Sequence, residues 1–128
     1  MSYYIGKTVE TSFEETLERV ASALKEEGFG VLTEIDVQET LKKKLDVNFR
    51  KYRILGACNP PFAYQALQAD DKIGVLLPCN VIVQETTSGI VEVSAMDPVE
   101  AMAMIDNVDL KDVAEQVRAR LQRVIDSL

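Results

Sequence analysis

The feature that most constrains this chain is an apolar stripe late in the sequence. Leu110, Val113, Val117, Leu121, Val124, Ile125 and Leu128 recur at the spacing of a helix that buries one face. Such a helix needs a flat apolar surface to lie on, and the preceding segment supplies one. Val81 and Val83, a polar turn at Thr86-Thr87-Ser88-Gly89, then Val91, Val93 and Ala95 follow the two-residue period of a β-hairpin with one buried side. A second helical stripe lies early in the chain, at Phe13, Leu17, Val20, Ala21 and Leu24. Ser12 and Glu15 give it capping-box spacing, overlapped by Thr11 and Glu14, and Gly28 ends it.

The remaining segments fill in the sheet. Tyr3, Ile5 and Val9 alternate with Tyr4, Gly6 and Thr8, with Lys7 interrupting the inner row. Phe29, Val31 and Ile35 alternate through a second strand, after which Asp36 and Glu39 repeat the capping-box spacing ahead of a short helix bearing Leu41 and Leu45. A third strand is expected over residues 51–58, with Tyr52, Ile54 and Cys58 on one face, stopped by Asn59-Pro60-Pro61. Residues 62–69 are weakly helical, and Ile73 to Leu77 form an apolar run bent or bulged at Pro78. Asp97, Pro98 and Glu100 start a short helix, and Asp109 opens the last one. The expected fold is α+β: a two-layer sandwich, a largely antiparallel sheet with two long helices on one face, in a single domain over residues 1–128.

Composition narrows function. In 128 residues, 14 Lys and Arg against 21 Asp and Glu leave a net charge of −7, and Lys42, Lys43 and Lys44 are the one dense basic run. That balance disfavours a phosphate backbone, so no nucleic acid partner is expected. The sequence has no apolar run near the length of a bilayer span and no export leader, so no membrane partner is expected and the cytosol is the expected compartment. With no histidine, a Ser-His-Asp or Cys-His mechanism and a histidine-built zinc site are excluded within one chain.

Two phrases remain as places for chemistry: Gly56-Ala57-Cys58-Asn59-Pro60-Pro61 and Leu76-Leu77-Pro78-Cys79-Asn80-Val81, each with Cys-Asn beside proline. Just before a helix, Cys58 would lie near unpaired backbone N–H groups that favour a thiolate, the setting of a nucleophilic or redox thiol. Against this, Cys58 shares the strand parity of Ile54, and Cys79 that of Val81 and Val83, which would turn both sulfurs into the core as inert small hydrophobes. A bend at Pro78 would alter that parity. Two thiolates alone leave a tetrahedral metal site half filled, so no metal or other cofactor is expected. Asp36 and Asp97 each begin an expected helix with Glu three residues on, so capping accounts for both. Lys44 suits a solvated helix end, and Gly28-Phe29-Gly30 lacks the rest of any phosphate-loop signature.

Taken in order, Glu27-Gly28-Phe29-Gly30-Val31, Glu34-Ile35-Asp36-Val37, Leu41-Lys42-Lys43-Lys44-Leu45, Tyr52 through Pro60, Leu76 through Val81 with Val83, and Asp97-Pro98 resemble the bacterial and archaeal domain-of-unknown-function family 302. The resemblance spans nearly the whole chain. It implies a two-layer sandwich similar in topology to half of a TATA-box-binding protein, without implying DNA binding, and small cytosolic proteins that pair as homodimers, with no established activity. The recurring family positions matched here are Asp36, Lys44, Cys58, Asn59, Pro60, Pro78, Cys79 and Asn80.

The expected function is therefore a small homodimeric ligand-binding or sensing domain, with a site drawn from Asp36, Lys44, Cys58, Asn59, Cys79 and Asn80. Asparagine amides offer both donors and acceptors to a small molecule. The alternative is a thiol-dependent enzyme or redox protein, with Cys58 as nucleophile, Cys79 as resolving partner, and Asn59 or Asn80 polarising a bound oxygen.

Overall fold

A computed structural model describes residues 2–128. Strand β1 (Tyr4–Val9) leads into helix α1 (Phe13–Glu26), followed by β2 (Gly30–Asp36), α2 (Val37–Leu45), β3 (Tyr52–Cys58) and α3 (Pro60–Ala69). A single 3₁₀ turn at Ile73–Leu76 then precedes the hairpin β4 (Cys79–Glu85) and β5 (Val91–Met96), the short α4 (Pro98–Ala101), and α5 (Val108–Asp126). The five strands form one open antiparallel sheet in the order β1-β5-β4-β3-β2. The fold is thus α+β, as the alternation of stripes implies.

Register decides which side chains meet the helices. The row Leu55, Val81, Ala95 and Ile5 and the row Arg53, Val83, Val93 and Lys7 lie on the covered face. There Val81, Val83, Val93 and Ala95 are completely buried against Val20 and Leu24 of α1 and Leu121 and Val124 of α5. Lys7, the interruption in the inner row of β1, is explained by its reach: its ammonium donates to the Leu128 carbonyl at 2.7 Å, beyond the C-terminal end of α5. The other face carries Tyr4, Gly6, Tyr52, Ile54, Ile82 and Ser94 and is not covered by the two long helices.

The caps show why the helices start where they do. Ser12 accepts from the Glu15 N–H at 3.1 Å, Asp36 from the Glu39 N–H at 3.0 Å, and Asp97 from the Val99 N–H at 3.0 Å. For α5 the cap is Asn107, whose side-chain oxygen accepts from Leu110 N–H at 3.2 Å, so Asp109 lies inside the first turn rather than opening the helix.

Other readings change with the tertiary setting. Ala21 is exposed, and Thr16 takes the buried place on α1 because its hydroxyl is satisfied by the Ser12 carbonyl at 2.6 Å. Helix α2 buries no side chain completely, and Leu45 stands in solvent. Val31 and Ile35 lie on an edge strand, where one side of each backbone has no partner, and both are exposed. In β3 the core-facing residues are Leu55 and Ala57, not Tyr52 and Ile54. This central strand is apolar on both faces, so alternation alone could not say which face the helices cover.

Candidate binding site

The covered face is filled at one end and hollow at the other. At the end where β3 stops and β4 begins, Ala57 and Cys79 are paired neighbours and form the floor. Above them α3 contributes Ala63 and Ala66, and α5 contributes Ala114. Alanine methyls do not reach far enough to close the layer, and a cavity of about 280 Å³ remains. Its wall is almost wholly apolar. Phe29, Phe62, Met102 and Val117 close the sides, while the exposed Leu32 and Leu67 stand at its mouth.

The residues in that wall with a polar or thiol side chain are Cys58, Asn59 and Cys79. Cys58 ends β3 and is half-buried, whereas Cys79 is buried. Both thiols are free. Burial pushes the Cys79 thiol up to about 11, and the nearby Cys58 adds to the effect, so Cys79 is a protonated thiol at neutral pH. The alternation argument that turned both sulfurs inward holds for Cys79 but not for Cys58. Cys58 shares the parity of the uncovered face and lines the cavity because β3 ends there and the chain turns into α3.

Asn59 occupies the N-cap position of α3 but makes no capping bond. Its amide N–H instead donates to the Glu27 carbonyl at 3.1 Å, tying the end of α1 to the start of α3. The Glu27 carbonyl also accepts from Arg120 at 3.2 Å, and the Glu27 carboxylate accepts from Arg123 Nε at 3.0 Å. The Arg123 hydrogen bond, more than any other effect, holds the Glu27 carboxyl below its ordinary value. Gly28 is required at this junction: its φ is +86°, and a Cβ there would come within 3.1 Å of the Asn59 amide nitrogen.

The structure brings Cys58, Asn59 and Cys79 together and places the other three candidates elsewhere. Asn80, one residue past Cys79, points to the uncovered face and is exposed there. Asp36 ends β2 at the opposite end of the sheet, about 20 Å along the strand from Gly30. There it caps α2, and its carboxylate lies 3.3 Å from Arg53 Nη2. Lys44 is exposed on the last turn of α2. Among the described residues no group of three or more Cys, Asp and Glu side chains is arranged to hold a metal ion. No helix among them is long and apolar enough to cross a membrane.

The cavity-forming alanines escaped the sequence reading. Their one signal was small residues where an apolar stripe would normally place large ones: Ala63 and Ala66 three apart on α3, and Ala114 between Leu110 and Val117 on α5.

Comparison with known proteins gives the chain its kin. No curated protein matches it. A solved structure, the crystal structure of uncharacterized conserved protein DUF302 from Bacillus stearothermophilus, is 31% identical, covers 98% of each chain and superposes with a TM-score of 0.91. Residues 5–128 match the family model described as domain of unknown function DUF302, and the chain belongs to that family.

Proposed function

We propose that this protein is a small ligand-binding or sensing domain whose ligand enters the cavity beside Cys58, Asn59 and Cys79. The observation that carries the reading is the cavity itself. Interiors are ordinarily packed to crystal-like density, and an apolar hollow of about 280 Å³ is well beyond the size of an ordinary packing defect. An apolar cavity of about 150 Å³ is known to stay dry and to take benzene. The reading includes a homodimer, as the family resemblance implies, working in the cytosol where two free thiols stay reduced.

A thiol-dependent reaction is the second reading, and one observation favours it: Cys58 is partly accessible at the cavity wall. The chain contains no histidine to act as its base, and the protonated Cys79 is a poor candidate for a ready thiolate.

Amide chemical shifts followed during titration with 1-octanol test the binding reading. Saturable shifts are expected at Cys58, Asn59, Ala66 and Val117, and they are expected to vanish in Ala114→Leu, which fills the hollow. The absence of saturable shifts at these residues would overturn the reading. Light scattering on the purified protein decides the homodimer.

A further inference from the structure

We infer that the cavity takes a monocarboxylic acid with a hydrocarbon tail of about ten carbons, its carboxylate held at the rim by Arg120. The inference rests on the proposed binding role of the cavity and names the ligand class.

The tail follows from size and wall. If six benzene carbons occupy about 150 Å³, a hollow of about 280 Å³ accommodates about eleven. No charged side chain lines it, so the part of the ligand inside must be uncharged.

The head follows from Arg120. This residue stands one helical turn beyond Val117, a wall residue, on α5. Its guanidinium carbon lies 5.3 Å from the ring centroid of Phe62, another wall residue. The side chain is 39% exposed. It gives one N–H to the Glu27 carbonyl, and among the described residues no other acceptor takes a hydrogen bond from it. The Glu27 carboxylate forms only a long ion pair with it, at 3.9 Å, and has its closer partner in Arg123, whose Nη2 is 2.9 Å from it. Arg120 therefore stands beside two wall residues at the edge of the apolar hollow, and it shares its nearest carboxylate, Glu27, with the closer Arg123. The planar guanidinium matches a carboxylate, and one guanidinium beside the rim of a chain of net charge −7 suits a monoanion better than a phosphate.

Decanoate and 1-decanol, titrated separately into the wild-type protein and into Arg120→Gln, Arg120→Lys and Ala114→Leu, test the inference. Wild type is expected to bind decanoate about tenfold more tightly than 1-decanol, with added salt weakening only the acid. Arg120→Gln is expected to lose that advantage while keeping its affinity for 1-decanol, which also shows that the cavity is intact. Arg120→Lys is expected to keep part of the advantage. Equal affinities in wild type, or an advantage untouched by Arg120→Gln, would overturn the carboxylate assignment and leave the cavity reading standing. Failure of both ligands to bind, or binding of both unaffected by Ala114→Leu, would overturn the cavity reading and the inference with it.

Discussion

Helix α5 covers the sheet twice, with different results. Along its C-terminal half, Leu121, Val124 and Ile125 are almost completely buried against α1 and the strands. Along its N-terminal half, Val113, Ala114 and Val117 face α3 and the ends of β3 and β4 across a hollow of about 280 Å³. The helix is continuous and its apolar stripe unbroken, so the difference lies in side-chain size. Valine on the strands meets leucine on the helices in the first half, and alanine faces alanine across the second. The same backbone layer thus forms a filled core at one end and a hollow at the other.

The largest effect that would break this contrast is expected in the filled half. Leu121→Ala removes a completely buried side chain from a close-packed setting and is expected to cost about 2–5 kcal/mol in denaturant unfolding. One substitution made in both halves sharpens the comparison. Val124→Ala is expected to cost about 2 kcal/mol and Val117→Ala only about half as much, because Val117 already borders empty space. Equal costs would mean that the two halves are packed alike.

Next in size is an alkaline effect confined to the hollow half. The Cys79 thiol is raised from an ordinary value of 9.0 to about 11 in the fold. Its contribution is fully present below the unfolded value, and it is lost as pH rises through the folded value, because the unfolded chain releases this proton first. Stability is expected to fall by up to about 2–3 kcal/mol between pH 9 and pH 11 from this group. The measurement is the difference between wild type and Cys79→Val, which isolates this group. A wild-type alkaline limb no steeper than the variant's would remove the assignment. Alkylation with peptide mapping is expected to modify Cys58 in the native protein and Cys79 only on unfolding.

Added volume should then have opposite signs at the two ends. Ala114→Leu places its side chain in the cavity and is expected to stabilise by about 0.5–1 kcal/mol while excluding ligand. Ala95→Leu, at a completely buried position beneath the filled half, is expected to destabilise by about 1–3 kcal/mol. Thermal melts of the two variants read the sign directly.

What the sequence disclosed follows the same division. The filled half was legible because its residues repeat at helix and strand periods, from Phe13 through Leu24, Val81 through Ala95, and Leu121 through Leu128. The hollow was not, because a cavity is an absence of volume and periodicity marks only where apolar residues stand. The cysteine phrases led to the hollow end of the sheet, where Cys58, Asn59 and Cys79 stand, since turn residues gather where strands end. They could not separate Cys79 from Asn80, which a single strand step sends to opposite faces. The family resemblance groups Asp36 and Lys44 with these residues, and the length of β2 keeps Asp36 away from them.

The smallest expected effect concerns the junction that frames the hollow. The Glu27 carbonyl receives Asn59 and Arg120, and its carboxylate receives Arg123, so one residue at the end of α1 fixes α3 and α5 relative to each other. The Glu27 carboxyl is held below its ordinary value of 4.5, chiefly by the Arg123 hydrogen bond. Its stabilising contribution is therefore present above the unfolded value and is lost as pH falls through the folded one. Glu27→Gln is expected to lower the melting temperature slightly at neutral pH and to flatten the acid limb, with amide-exchange protection falling at Asn59 and in α3 while Leu121 and its neighbours stay protected. The carbonyl contacts survive that substitution, which is why the effect should be small. Uniform loss of protection across both halves of α5 would show instead that the hollow and the filled core open as one unit.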